Sequence, residues 1–420
     1  MNAYAVFILF ALFAEYVLSL IANLLNLRAL SRALPPEFAD AYDSARYRRS
    51  QDYTRARTRF GLLAASFHMA VFLGFWWAGG FGWLDSVVRA LGLSSIATGL
   101  LFVGALVLAR SLLSLPFRVY STFVIETRFE FNKTTPRTFL FDGLKGLLLT
   151  LALGGPLLAS VLWCFEAAGP LAWLWGWLVT TGFLLFVQFV APTWIFPLFN
   201  KFKPLPEGEL RDAITRYTEK ASFPLDGLFV IDGSRRSTKA NAFFTGFGKY
   251  KRIALFDTLV EKHEPDELVA IVAHEIGHYK KRHIAKGLVI SGLHTGVVFF
   301  LLSVFLESRG LFEAFHVADT SVYAGVVLFG ILFSPVELVL SLCAHALSRR
   351  NEFEADAYAR ETGLARALVR GLKRLSAETL ANLNPHPLYV ALHYSHPPLG
   401  ERISALQRDE VVDGGAPGSV

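Results

Sequence analysis

Seven long apolar stretches, separated by segments that contain most of the charged residues, are the dominant pattern along this chain. A stretch of about 20 apolar residues is long enough to cross a lipid bilayer as an α-helix. The first stretch has no basic residues before it and no cleavage signal after a short apolar core, which indicates a retained helix. The pattern predicts seven transmembrane helices, at approximately 3–27, 61–84, 96–118, 139–165, 170–197, 285–306 and 321–347.

The basic residues of the connecting segments predict one orientation for all seven helices. Short loops rich in Lys and Arg stay on the cytoplasmic side of a membrane. Eight arginines lie between the first two stretches, and further basic residues follow the third, fifth and seventh. The other connections carry few basic residues. We therefore expect the N-terminus outside and the C-terminus in the cytoplasm.

Two polar regions, at about 198–284 and 348–420, remain outside the apolar stretches and face the cytoplasm in this orientation. In the first, 227–233 and 251–257 predict strands with an extended, turn-rich segment between them. A helix then starts near Pro265, where proline is favoured.

The second polar region predicts a short helix over 351–363, ended by Gly363, and more helix to about 380. The Gly- and Pro-rich residues 411–420 predict a flexible tail. The sequence therefore predicts four parts of the chain: a membrane region at 1–197, a first peptidase part at 198–284, two membrane helices at 285–347, and a second peptidase part with the tail at 348–420.

Composition and charge restrict the class of protein further. Hydrophobic residues make up 53% of the chain and charged residues only 18%, against about 25% charged in ordinary globular domains. The net charge of +6 comes with basic residues that are concentrated in the segments predicted to face the cytoplasm. Membrane orientation therefore explains the charge, and we expect no nucleic-acid partner. Two cysteines, Cys164 and Cys343, lie in apolar stretches and cannot build a disulfide framework.

The strongest chemical signal is the segment His274-Glu275-Ile276-Gly277-His278, on the helix that begins near Pro265. Histidines four residues apart lie on one face of a helix, one turn apart, so both imidazoles can bind a single zinc ion. The glutamate beside the first histidine reaches a water molecule on that metal. An amphipathic helix with surface histidines is the competing interpretation.

A catalytic zinc site needs a third protein ligand and an open position for water. After the seventh apolar stretch the chain returns to the same side of the membrane, where Glu352, Glu354 and Asp356 follow one another closely. Glu352 and Asp356 are four residues apart, so one carboxylate can bind zinc while the other accepts the outer N–H of a ligating histidine. Glu354 points to a different helical face and stays as the alternative ligand.

Together with these motifs, several other segments of the chain resemble the type I CAAX prenyl protease family of integral membrane zinc metallopeptidases. The seven predicted helices favour this type over the smaller bacterial heat-shock relatives of the same superfamily. The segments that carry the resemblance are Phe131-Asn132-Lys133, 196–201, Asn241-Ala242, 252–258, and 393–398 with Arg402.

The resemblance implies an all-α integral membrane protein whose seven transmembrane helices enclose a chamber, with a small α+β zinc-peptidase domain of the gluzincin type in the cytoplasm. It implies one zinc ion per chain, surrounded by a general base, oxyanion donors and a backbone segment that pairs with the substrate. The implied residues are His274, His278 and Glu352 as zinc ligands, Glu275 as general base, Asp356 as the support of a ligand histidine, His396 and Arg402 as oxyanion donors, and Asn241 and Ala242 as the residues whose backbone pairs with an extended substrate strand.

For function, the resemblance implies an endopeptidase that removes the last three residues after a prenylated cysteine. The expected partners are a peptide or protein substrate, prenylated or not, and the lipid bilayer. Two alternatives stay open: a quality-control protease without prenyl specificity, and a metal-ion transporter, which predicts metal ligands within the membrane helices. The Arg-rich, Lys-poor composition is typical of bacteria and predicts an inner-membrane protein with its site in the cytoplasm, or an endoplasmic reticulum protein if the source is eukaryotic.

Overall fold

Helices dominate the structure, a computed structural model that describes residues 1–30, 33–245 and 251–408. Seven of these helices are long and apolar enough to cross a membrane, as predicted. The predicted flexible tail at 411–420 lies outside the described residues.

The N-terminal half supplies five of the seven membrane-crossing helices. The helices are α1 (Ala3–Ala29), α2 (Ser44–Trp77), α3 (Gly80–Arg89), α4 (Ser95–Tyr120), α5 (Pro136–Leu149), α6 (Gly155–Ala167), α7 (Ala172–Val190) and α8 (Phe196–Phe199). Three π-helical segments connect or extend them: Ser121–Glu126 extends α4, Thr150–Gly154 joins α5 to α6, and Ala191–Ile195 joins α7 to α8.

Helix α2 is shifted from its predicted position towards the N-terminus. It begins at Ser44 because Asp43 caps it, accepting the backbone N–H of Arg46 at 2.7 Å. It ends at Trp77, and Gly79 then adopts a left-handed conformation with φ of 72° before α3 begins. The basic segment that the sequence predicts as a loop is therefore the first half of a membrane helix that projects towards the peptidase part.

The membrane helices bury little of their surface. In the apolar windows of the seven helices, between 0 and 22% of residues are buried, so their remaining side chains face either lipid or an interior space. The main exception is a buried cluster that joins several of these helices and contains Trp76, Phe81, Phe102, Phe315 and Tyr323. The low burial of all seven helices agrees with the expected chamber, with lipid on one side of each helix and an interior space on the other.

The first peptidase part contains four strands and three helices: β1 (Phe202–Pro204), α9 (Glu209–Lys220), β2 (Leu225–Ile231), β3 (Ala242–Thr245), β4 (Lys251–Phe256), α10 (Asp257–Lys262) and α11 (Pro265–Lys280). The strands form one sheet with the order β1-β2-β4-β3, in which β2 and β4 are parallel and the other pairs are antiparallel. The predicted strands at 227–233 and 251–257 are confirmed as β2 and β4, whereas β1 and β3 were not predicted as strands.

The prediction of a separate short helix at 351–363 is wrong. Neither glycine nor proline occurs between Pro335 and Gly363, so the last membrane helix continues without a break until Gly363, with φ of 83°, ends it. The remaining helices are α12 (His283–Phe305), α13 (Arg309–Ala314), α14 (Val322–Glu361), α15 (Ala365–Thr379), α16 (Pro387–His393) and α17 (Leu399–Gln407).

Helix α11 lies at the centre of the peptidase part. One face packs through Val272 and Ile276 against Ile253 and Leu255 of the sheet. Its other side contacts α14 and α15. Both polar regions of the sequence therefore join around this helix, although two membrane helices separate them along the chain.

Candidate metal centre and active site

The two histidines of the HExxH segment come together on α11. A capping box between Glu264 and Glu267, with Pro265 in the first turn, fixes the start of this helix. One turn apart near its end, His274 and His278 have their Nε2 atoms 3.3 Å apart. The helix therefore presents two imidazole nitrogens to one point.

A glycine allows α14 to bring a carboxylate to the same point. A Cβ on Gly277 would lie 2.9 Å from the Cα of Ala355, so only glycine permits this close crossing of α11 and α14. Glu352 Oε2 lies 3.5 Å from His274 Nε2, and Glu352 Oε1 lies 3.3 Å from His278 Nε2. Within the described residues, this is the group of three ligand-type side chains whose ligand atoms all lie within 4.8 Å of one another.

The outer nitrogen of His274 is held by a buried ion pair. Asp356 Oδ1 lies 2.8 Å from His274 Nδ1, and both oxygens of Asp356 accept hydrogen bonds from Arg402, at 2.7 and 2.8 Å. Burial opposes a charged imidazole, but Asp356 and Glu352 outweigh it and raise the pKa of His274 to about 9. A metal ion has to displace that proton, because it binds the neutral imidazole.

The outer nitrogen of His278 has a support that the sequence did not predict. His283 Nδ1 lies 3.0 Å from His278 Nδ1, and His283 Nε2 lies 3.1 Å from Glu354 Oε2. Arg282, in a left-handed conformation with φ of 58°, turns the chain so that His283 faces back to α11. Glu354, the alternative ligand, therefore lies beside His283 and not between the two ligand histidines.

Glu275 faces a mainly apolar cavity of about 650 Å³. Burial raises the pKa of the Glu275 carboxyl, so it holds a proton more readily than an exposed glutamate. His278 lines the same cavity. The apolar wall comes from the membrane helices and the sheet edge: Phe196, Phe243, Phe244, Ile284 and Leu288.

The two predicted oxyanion donors differ in their environment. His396 Nε2 lies 3.4 Å from Glu352 Oε1, and its side chain is 64% exposed. Arg402 is buried, and its Nε and Nη2 atoms donate hydrogen bonds to Asp356. Its Nη1 atom lies 3.5 Å from Glu352 Oε2 and is the one left for another partner. The geometry thus leaves His396 open to a substrate and makes Arg402 mainly a partner of Asp356.

Asn241 and Ala242 lie at the edge of the sheet. The Asn241 carbonyl accepts the N–H of Phe256, so the backbone groups of Ala242 alternate to the side away from β4. The N–H of Ala242 donates a hydrogen bond to Oδ1 of Asn241 at 2.9 Å. In the described part of the sheet β3 pairs only with β4, which leaves its outer edge for a further strand.

The donor set fits zinc. Two imidazole nitrogens and one glutamate oxygen are a common ligand set of catalytic zinc sites, and each histidine has its outer nitrogen oriented by a neighbour. The cavity that Glu275 lines reaches this donor set at His278.

Comparison with known proteins agrees with this geometry. A family model for the CAAX prenyl protease N-terminal region, with five membrane helices, matches residues 23–201, and one for peptidase family M48 matches residues 204–410. CAAX prenyl protease 1 of Saccharomyces cerevisiae is 37% identical over 403 residues, 89% of this chain and 88% of the relative. The chain belongs to the CAAX prenyl protease 1 family.

Other members of the CAAX prenyl protease 1 family match over similar lengths. The human homolog is 32% identical over 427 residues, covering 89% of this chain and 88% of its own. The crystal structure of S. mikatae Ste24p superposes with a TM-score of 0.90 at 34% identity, covering 97% of this chain and 99% of that one. This protein is therefore a multi-pass membrane metallopeptidase, and the alternative of a metal-ion transporter is not favoured.

Proposed function

We propose that this metallopeptidase uses zinc to cleave peptide bonds near a prenylated cysteine at the C-terminus of its substrates. The names of its relatives support the substrate class. The observation that carries the proposal is the apolar cavity beside Glu275 and His278, which offers an isoprenoid chain a place next to the metal centre.

His274, His278 and Glu352 would hold one zinc ion per chain. When bound, zinc supplies Lewis acidity, which makes water a stronger acid and polarises a peptide carbonyl. Asp356 fixes the orientation of His274, and Arg402 holds Asp356 in place with two hydrogen bonds. Arg402 is thus mainly a positioning residue, and its Nη1 atom alone is available as an oxyanion donor.

Glu275 acts as the general base and His396 as the main oxyanion donor in this proposal. Glu275 takes a proton from the attacking water and returns it to the leaving amine, which suits a carboxyl whose pKa burial has raised. His396 can donate from Nε2 to the oxygen of the scissile carbonyl, because its side chain is exposed at the edge of the centre.

The substrate backbone would add to the sheet as a further strand beside β3. Its main-chain groups would bond to the outward-facing groups at Ala242, with the Asn241 side chain beside them. Phe243 and Phe244, which continue this strand, line the apolar cavity. Binding through the main chain tolerates many side chains, so the cavity and not the strand would select the substrate.

The proposed site faces the cytoplasm. This follows from the basic residues of the first, third and fifth connections, whether the membrane is a bacterial inner membrane or the endoplasmic reticulum. We retain the division into a membrane region at 1–197, peptidase parts at 198–284 and 348–420, and two membrane helices at 285–347.

The experiment compares the full chain in detergent with Glu275→Gln on two peptides that differ only in a farnesyl group on the cysteine. We expect wild type to cleave the farnesylated peptide faster. We expect Glu275→Gln to keep its zinc, measured by elemental analysis, and to lose about 100- to 10,000-fold in rate, the usual contribution of a general base.

Two results would contradict the proposal. If Glu275→Gln cleaves as fast as wild type, Glu275 is not the base. If both peptides are cleaved equally well, the apolar cavity does not select a lipid, and a protease of general specificity is the better description.

A further inference from the structure

A second cavity, of about 670 Å³, borders the candidate active site through His396. Its volume is within the range of small-ligand pockets, about 300–1,000 Å³. Helices α1 and α2 form one wall, and the segment from α15 to α17 forms the other. Among the described residues that line this cavity there is no Asp or Glu, and several carry hydrogen-bond donors: Asn23, Thr54, Arg57, Tyr389, Ser395 and His396.

Arg57 is the one Lys or Arg among the described residues that line this cavity. Its Nη1 atom donates to the hydroxyl of Tyr53 at 3.3 Å, and in the described part of the chain it contacts no carboxylate. The nearby Glu126 is already matched, because Lys239 Nζ lies 2.8 Å from Glu126 Oε2. The positive charge of Arg57 is therefore not cancelled by its neighbours.

Tyr53 holds Arg57 in this arrangement. Its hydroxyl donates to Glu126 at 2.6 Å and accepts from Lys239 at 2.5 Å as well as from Arg57. Tyr53 is buried, whereas the Arg57 side chain is exposed into the cavity. A fixed guanidinium in a cavity without carboxylates binds anions, and a carboxylate matches its geometry best.

We propose that Arg57 binds the C-terminal carboxylate of the substrate, so that the departing peptide lies in the polar cavity while the lipid lies in the apolar one. This inference rests on the proposed function. The two cavities reach the centre through different residues, the apolar one through Glu275 and His278 and the polar one through His396. Arg57 would then set how many residues lie beyond the cleaved bond.

The test uses two farnesylated peptides of identical sequence, one ending in a free carboxylate and the other in an amide. We expect wild type to favour the carboxylate about 10- to 100-fold in kcat/KM, the effect of one charge-assisted hydrogen bond. Arg57→Gln should lose this preference by slowing only the carboxylate peptide. Arg59→Gln is the matched control, because Arg59 is exposed on the same helix but does not line the cavity.

An equal loss on both peptides, or no loss, would overturn the assignment of Arg57. An equal loss would mean that Arg57 serves the fold or lipid headgroups. Melting temperatures of both variants would show whether Arg57→Gln folds normally.

A binding measurement makes the test independent of turnover. Calorimetry would measure the affinity of the free tripeptide Val-Val-Ser and of its C-terminal amide. The proteins compared are Glu275→Gln and the double variant Glu275→Gln, Arg57→Gln. We expect Arg57→Gln to weaken binding of the carboxylate form only. Binding that ignores Arg57 would reject the inference. If the binding depends on Arg57 but wild type cleaves neither peptide, the proposed function fails and the carboxylate site stands.

Discussion

The two sides of the metal centre are built in opposite ways. On the inner side, Asp356 is 1% and Arg402 8% exposed, and the two are joined by two hydrogen bonds. On the outer side, His396 has a side chain that is 64% exposed, with Ser395 Oγ 3.0 Å from its Nδ1 and Glu352 Oε1 3.4 Å from its Nε2. The inner side fixes the ligand geometry before a substrate arrives, whereas the outer side can adjust to it.

Replacement of His396 should have the largest effect of the three variants that test this contrast. We expect His396→Ala to lower kcat by about 100- to 1,000-fold, as the loss of one oxyanion donor does, because the variant lacks the donor that is exposed to the substrate. Zinc content and melting temperature should stay unchanged. If the variant loses zinc, His396 belongs to the inner structure and the contrast is wrong.

Replacement of Asp356 should act on metal binding instead of on the outer side. Asp356→Asn leaves Arg402 without its carboxylate and His274 without its charged partner, so we expect about 10- to 100-fold weaker zinc binding. Competition with a chelator measures this affinity. Glu361→Gln, an exposed position on the same helix, is the control. Unchanged zinc affinity in Asp356→Asn would show that the buried pair serves folding alone.

Replacement of Glu354 should have the smallest effect. Glu354 contacts His283 and Arg350, and its side chain is 31% exposed. It reaches the ligand His278 only through His283, and a partly exposed ion pair contributes little, so we expect Glu354→Gln to weaken zinc binding less than about fivefold. Elemental analysis should still find one zinc per chain. Loss of the metal would make Glu354 the third ligand and remove Glu352 from that role.

The membrane helices were predictable because their apolar composition is a strong signal that needs no partner. Their ends were harder to predict. Both α2 and α14 extend into polar segments whose hydropathy is that of a loop. Only the cap at Asp43 shows where α2 begins, and only Gly363 shows where α14 ends. The short strand β1 was missed because three residues carry too little pattern.

The centre was predictable to the extent that its chemistry is local. His274, Glu275 and His278 lie on one helix, and Glu352 follows from helical spacing, so the sequence alone identifies them as candidates. His283 and Arg57 could not be predicted, because their roles depend on contacts between distant elements. Such contacts are those of His283 with Glu354 and of Tyr53 with Lys239.

The order of these residues along the chain has a consequence for synthesis of the protein. Glu352 lies inside α14, near its C-terminal end, so it is made only after α12 and most of α14 have been translated. A nascent chain that stops before Glu352 lacks the third ligand position and the Asp356 support of His274. Newly made protein therefore cannot assemble this centre until its last membrane helix has been made.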